Sequence, residues 1–247
     1  MARHITVEAV ILAHRRTTGQ HRQVVLLSPQ VGMVEASAFG AKKGSLTGRV
    51  SQFLSGTALL YHNPVRNYWT IEDFTPEIYR NYIAESLEGI YTASFFSECI
   101  MKTYAGGGEY EQLYHLVGDC LDGLSVRQNR ELVVVQFVWR YLIIAGFLSD
   151  ARHCSSCARV LTRVDPLFFD LHEQMFVCTS CNPGDVQDME ISPGARAYLD
   201  HTAEAPLADA LKVRLESGSL EQLKRILLSA VDSVTDGYLN TLRSMLI

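Results

Sequence analysis

Four of the chain's six cysteines, Cys154, Cys157, Cys178 and Cys181, stand in the order C-x2-C-x20-C-x2-C. Two residues between cysteines let a tight backbone knuckle turn both sulfurs to one side. Two such knuckles facing each other complete a thiolate tetrahedron around Zn2+ at about 2.3 Å per bond. The spacing therefore predicts one structural zinc ion. With four thiolates the shell is closed to water or substrate, which disfavours a catalytic metal. Disulfides or a thioredoxin-like redox pair are the alternatives; the first suits a secreted chain and the second needs only one motif at a helix start. A zinc deaminase is disfavoured, because His172 is followed directly by Glu173 and Val177, not proline, precedes Cys178. His153 beside Cys154 is a spare ligand that four cysteines make unnecessary. The other two cysteines, Cys99 and Cys120, sit among apolar residues and read as small buried hydrophobes.

The rest of the chain changes texture along its length. From Arg3 to Trp69, ITVEAVILAH, RQVVLLS, VGMVEASAFG, QFLSGTALLYH and NYWTIE read as five short strands. They are too few for a sandwich and lack the crossovers of a parallel sheet, so a small closed or partly closed OB-fold barrel is expected. After Pro76 the pattern turns helical. Ile78, Tyr82, Ile83, Leu87, Ile90, Tyr91, Phe95 and Phe96 trace an apolar stripe through a helix expected from Glu77 to Tyr104. Further helices are expected over Glu109–Leu121 and, buried at the centre of a bundle, Gln128–Phe147.

Residues 152–183 form the cysteine insert, with two strands and a turn between the knuckles and Phe168, Phe169 and Phe176 covering a small core. Beyond the linker NPGDVQDMEISPG, Ser192 and Pro193 have the chemistry of a helix start. Helices are expected toward His201, over Leu207–Leu215 and over Leu220–Leu246. The whole is an α+β, multi-domain chain. An N-terminal five-stranded OB-fold barrel occupies 1–74, and an all-α domain in two parts, 75–151 and 184–247, is interrupted by the four-cysteine module at 152–183.

The 247 residues carry 22 Lys+Arg and 27 Asp+Glu, a net charge of -5, which argues against a polyanion binder only if the charge is uniform. It is not. Residues 1–66 hold Arg3, Arg15, Arg16, Arg22, Lys42, Lys43, Arg49 and Arg66 against Glu8 and Glu35, which is +6 and leaves -11 for the remainder. Such a split points to nucleic acid at one end and protein partners at the other. Arg15, Arg16 and Arg22 lie in or beside one interstrand segment and Lys42, Lys43 and Arg49 in another, where small barrels contact oligonucleotides. Phe39, Phe53, Tyr61, Tyr68 and Trp69 offer stacking rings, although filling the barrel is the simpler role for each.

No P-loop, dinucleotide fingerprint, HExxH or GxSxG is present, and the eight histidines are scattered, so no catalytic residue is assigned. Asp119 and Asp122 read as a solvated acidic face. The opening MARHITVEAV has no hydrophobic leader and no apolar run reaches the roughly 18 residues of a membrane span, so a cytoplasmic location is expected.

AFGAKKGSLTGRVSQFLSG (38–56), PEIYRNYIAESLEGIYTASFFSE (76–98), RYLIIAGFLSDARHCSSC (140–157) and ISPGARAYL (191–199), in this order of parts, resemble the bacterial RecO family of recombination mediators. Ser51 departs from the leucine frequent there, and Gln52 runs directly into Phe53 without the usual intervening proline. The resemblance implies a non-enzymatic, nucleoid-associated repair protein. It would bind single- and double-stranded DNA, anneal complementary strands, and act with RecR and the single-stranded DNA-binding protein SSB to load RecA. Arg15, Arg16, Arg22, Lys42, Lys43 and Arg49 would then form the DNA track. Arg127, Arg130 and Arg140 would receive the acidic C-terminal tail of SSB or extend the DNA path. The alternatives are an assembly module whose barrel binds a protein with incidental DNA contact, and a hydrolase without a visible Asp/Glu/His cluster.

Overall fold

The computed structural model describes residues 4–15, 22–39, 45–46, 48–103, 109–162, 164–182, 184, 189–235 and 239–245. The chain divides into two compact units, Met1–Ser125 with Asn240–Ile247, and Val126–Leu239. The division does not follow the change of texture near Pro76, because the first two helices group with the barrel.

In the first unit the strands β1 (His4–Arg15), β2 (Arg22–Ser28), β3 (Gly32–Ala38), β4 (Ser55–Asn63) and β5 (Tyr68–Ile78) close into a barrel of order β1-β2-β3-β5-β4. All neighbours are antiparallel except β3 and β5. Its interior is filled by Val7, Ile11, Val24, Leu26, Leu60, Ile71 and Phe74, with Ala9, Ala36, Ala38 and Ala58 between them. Alternation of large and small side chains lets so narrow a barrel close on a packed core. The connection before β4 also contributes Leu46, Val50 and Leu54 to that core.

Two boundaries differ from those expected. The fourth strand begins at Ser55 instead of Gln52, because Phe53 takes a left-handed backbone (φ 67°) while its N–H donates to Ile11 O at 2.8 Å. The helix expected from Glu77 is strand until Ile78. Pro76 lies opposite Gly56, beside a register shift where a missing N–H costs little, and a Cβ on Gly56 would fall 2.1 Å from Thr75 O. Helix α1 starts only at Leu87 and runs to Thr103, after a 3-10 turn over Asn81–Glu85. Its buried face is rotated from the expected stripe. Thr92, Ala93, Phe96 and Ile100 are inside with Phe95 and Cys99, while Leu87 (69% exposed), Ile90 and Tyr91 face out. Gly89 explains the rotation, since its Cβ would meet Ile83 O at 2.8 Å and the helix seats this small residue against the 3-10 turn.

Helix α2 (Tyr110–Gly123) packs on β1, β2 and β3, buries Cys120, and lays Tyr110 over Gly32.

The second unit is built around α3 (Arg130–Ile144), which buries Val133 through Trp139 almost without interruption, as its apolar sequence requires. The cysteine insert adds β6 (Leu167–Asp170) and β7 (Met175–Cys178), and β8 (Met189–Glu190), from the linker that follows it, completes a sheet of order β7-β6-β8. Helix α4 (Pro193–Thr202) begins as its sequence predicts: Ser192 Oγ accepts from Ala195 N, with Pro193 in the first turn. The helix expected at Leu207–Leu215 is only the short α5, Leu207–Ala210. The long one expected at Leu220–Leu246 is α6 (Ser217–Val234), packed on α3, and a separate α7 (Asn240–Met245). Helix α7 belongs to the first unit, where it lies along α1. Among the described residues no helix is long and apolar enough to cross a membrane.

Candidate metal centre and basic barrel end

The two cysteine knuckles are built by their own backbones and then pinned together. In the first, Ala158 N donates to Cys154 O at 2.8 Å, and Ala158 turns the chain back with φ 58°. In the second, β7 ends at Cys178, whose carbonyl accepts from Cys181 N at 3.0 Å and Asn182 N at 2.9 Å. Ser155 N donates to Phe176 O at 2.8 Å, and Cys178 N donates to Cys154 Sγ at 3.3 Å. Beneath them Phe169 and Phe176 meet edge to face at 5.2 Å, and Trp139 of α3 closes on Phe176 at 5.9 Å. Phe169 and Phe176 therefore pack as expected, and Phe168 is half-buried.

All four sulfurs lie within 4.8 Å of one another, with Cys157 and Cys178 at 3.9 Å. A sulfur tetrahedron around an ion at about 2.3 Å has edges of about 3.8 Å, whereas a disulfide requires about 2.05 Å. The six cysteines are free thiols. Burial works against ionisation of Cys154, but the N–H groups of Cys157, Cys178 and Ser156 outweigh it and bring its thiol down to about 6. The Ser156 hydroxyl favours the Cys181 thiolate, yet the sulfurs of Cys157, Cys178 and Cys154 hold its proton and push it up to about 12. Four thiols so placed cannot all ionise without a cation between them. The donor set fits one tetrahedral, thiophilic metal ion. His153 takes no part, its Nδ1 being 2.9 Å from Asp150 Oδ1.

At the barrel, Arg15 ends β1 and Arg22 opens β2, opposite Ala38 at the end of β3. His14 ties in the following connection, its Nε2–H donating to Val50 O, so the turn carrying Arg49 lies against the same end. Burial holds the His14 ring below its usual range, and the positive charge of Arg22 adds to that against the pull of the Val50 carbonyl. Arg16, Lys42 and Lys43 lie outside the described residues.

Two cations of this end already have carboxylate neighbours. Arg15 Nε is 3.4 Å from Glu35, and Arg49 pairs with Asp73 at 2.7 Å. The extension of β5 to Ile78 brings Glu72, Asp73 and Glu77 into the barrel, so residues 1–78 hold eight basic against five acidic groups, +3 where 1–66 alone gave +6. Of the rings, Phe53 is buried and Trp69 packs on the core, whereas Phe39 and Tyr68 are exposed.

Arg127 is exposed in a 3-10 turn and Arg130 half-buried at the start of α3. Arg140 is taken up within its unit: its guanidinium donates to Gln136 Oε1 at 2.9 Å and to the carbonyls of Thr202 (3.0 Å) and Ala205 (2.6 Å), at and beyond the end of α4. Asp122 is likewise more than a solvated face, because it meets Arg80, a residue that motif reading passed over. The signal was there: between Arg66 and Lys102, Arg80 is the only cation.

A family model described as "Recombination protein O C terminal" matches residues 84–243, more than half of the chain. The DNA repair protein RecO of Pelotomaculum thermopropionicum is 25% identical over 222 residues, 89% of this chain and 85% of that protein. The DNA repair protein RecO of Alkaliphilus metalliredigens is 21% identical over 227 residues, 90% of each chain. With the match running from the helices of the first unit through the cysteine knuckles to α7, the chain belongs to the recombination protein O family of DNA repair proteins.

Proposed function

We propose that the chain is a recombinational repair mediator whose barrel binds single- and double-stranded DNA. It anneals complementary strands and works with RecR and SSB to load RecA on SSB-coated strands, without catalysing a covalent step. The observation that carries this reading is the gathering of Arg15, Arg22 and the turn of Arg49 at one barrel end, where His14 of β1 holds that turn through Val50. Arg15, Arg16, Arg22, Lys42, Lys43 and Arg49 form the phosphate track in this reading, the OB-fold domain being 1–74 at its core. The pairs of Arg15 and Arg49 with carboxylates leave them available to exchange partners, since exposed ion pairs are worth little in water. The metal is zinc, held as a structural staple by Cys154, Cys157, Cys178 and Cys181, the ion for which four thiolates at this spacing are best suited. Arg127 and Arg130 are the cations for the acidic SSB tail, and Arg140 instead holds the end of α4 through the carbonyls of Thr202 and Ala205.

The test is a Lys42→Glu, Lys43→Glu double variant. Loss of two phosphate contacts is expected to weaken binding of any DNA and to flatten the dependence of log affinity on log salt by about 1.4 to 1.8 units. Unchanged affinity and slope would remove these lysines from the track. A chain that binds RecR but no bare oligonucleotide would favour the assembly-module alternative.

A further inference from the structure

The four sulfurs of the metal centre are unequally covered. Cys154 and Cys178 are 1% and 3% exposed, Cys181 is half-buried, and Cys157 is exposed. The knuckles themselves set this order. Cys154 N donates to Arg159 O and Cys178 closes β7, so the first cysteine of each pair lies on the packed side, next to Phe176. Cys157 lies on the outer limb of its turn, where Ser155, Ser156, Ala158, Arg159 and Val160 are exposed with it. Cys99 and Cys120 are fully buried in the first unit. Of the six cysteines, Cys157 alone is exposed.

Exposure matters here because a ligand sulfur is a thiolate, and oxidation of cysteine follows thiolate character and access. The reachable sulfur also has a second one beside it: Cys178 Sγ, on the opposite knuckle, is 3.9 Å from Cys157 Sγ. A change at the knuckles has a route to the core of the second unit. Ser155 N donates to Phe176 O, and Phe176 meets Trp139 of α3 at 5.9 Å. Between the knuckles, Asp165 O accepts from the Arg196 guanidinium of α4.

We propose, resting on the zinc reading above, that Cys157 is a site of oxidative modification through which hydrogen peroxide opens the metal centre and loosens the second unit. The Cys157 thiolate attacks one oxygen of the peroxide: an S–O bond forms, the O–O bond breaks, and hydroxide leaves. The Cys178 thiolate then attacks that sulfur: an S–S bond forms, the S–O bond breaks, and a second hydroxide leaves. Two protons from solvent turn both hydroxides into water, and the two electrons that the sulfurs lose reduce the peroxide. The crosslink removes two of the four donors. Cys154 and Cys181 alone do not close a tetrahedral shell, so the ion is released. A dithiol reductant with zinc resupplied reverses the step.

The test treats the full, zinc-loaded chain with hydrogen peroxide beside a chromogenic zinc chelator. About one equivalent of zinc per chain is expected to be released, and dithiothreitol with added zinc to restore the loaded state. Trp139, 1% exposed and in the second unit, reports the loosening. In a Trp69→Phe chain it is the only indole, and its emission should shift to the red as zinc leaves. With peroxide limiting, dimedone should trap the sulfenic acid on Cys157 ahead of the other cysteines. Peptide mapping after full oxidation should show Cys157 joined to Cys178. Cys157→His keeps a fourth ligand without the exposed sulfur and should release zinc about tenfold more slowly. The dimedone labelling uses the unaltered chain and does not depend on that variant folding. Zinc retained through full peroxide treatment, or a first label on another cysteine, would overturn this proposal and leave the zinc reading intact. A crosslink of Cys154 to Cys157 would overturn the role of Cys178. A chain that holds no zinc and takes none up when supplied would overturn both readings.

Discussion

Arg80 and Asp122 meet at 2.7 Å, with the arginine side chain 2% exposed and the carboxylate 52% exposed. The pair joins the residue just after the barrel's last strand to α2, and the guanidinium also donates to Phe53 O and Ser55 Oγ, both at 2.8 Å. One buried cation thus satisfies the left-handed Phe53 carbonyl, the start of β4 and the end of α2.

The unequal burial predicts unequal costs. Arg80→Met strands the Phe53 carbonyl and is expected to lower stability by about 3 kcal/mol in urea unfolding. Asp122→Asn keeps an oxygen acceptor at a hydrated position and is expected to cost about 1 kcal/mol. Equal losses for the two variants would show that the arginine acts only through the carboxylate.

Metal content is expected at one ion per chain. Modification of the cysteines by a mercurial reagent should release one equivalent of zinc to a chromogenic chelator. Cys157→Ser should carry less than stoichiometric metal and melt at a lower temperature. Ion binding in small four-ligand sites is worth on the order of 10 kcal/mol, so the second unit should lose its cooperative transition on metal removal. A Cys157→Ser chain with full metal and an unshifted melting temperature would refute the site.

Glu98 gives the first unit an acid-sensitive joint. Its carboxylate accepts from Asn240 N and Nδ2, both at 3.0 Å, and from Thr241 N (2.9 Å) and Oγ1 (2.6 Å), holding the start of α7 on α1. Burial raises this carboxyl, but the Thr241 and Asn240 donors and the charge of Lys102 outweigh it and bring it below its ordinary 4.5. A depressed value means that the stabilisation is present above about 4.5 and is lost as pH falls through the lower folded value. Proteolysis of the C-terminal segment should therefore accelerate as pH drops below about 4.5. Glu98→Gln should be cut faster at neutral pH and lose that pH dependence; wild-type protection in the variant would contradict the joint.

Much of this was legible from residues that act on near neighbours. The C-x2-C knuckles close through bonds such as Ala158 N to Cys154 O, and the start of α4 is made by Ser192 and the residues just after it. The apolar length of α3 was enough to place it at the centre of its unit. The five strands were visible in period and composition, yet their ends were not, because Phe53 and Pro76 take conformations set by Ile11 and Gly56 on other strands. The α1 stripe failed for a similar reason: a small face containing Gly89 and Ala93 won the buried side over Leu87, Ile90 and Tyr91.

The basic barrel end shows the same divide. A count of charges located the cations, but only distances revealed that Arg15 faces Glu35 and that Arg49 faces Asp73. It took the closed barrel to stack His62 on Trp69 and set both in one cross-strand row with His14. The sequence by itself determined the four-cysteine site, the strand and helix classes and the family, because spacing and periodicity record short-range geometry. Tertiary structure alone decided which charges are spent internally and which unit the last helix joins. Those outcomes rest on partners such as Glu98 and Asn240, 142 positions apart, that meet only when burial of apolar surface has folded the chain.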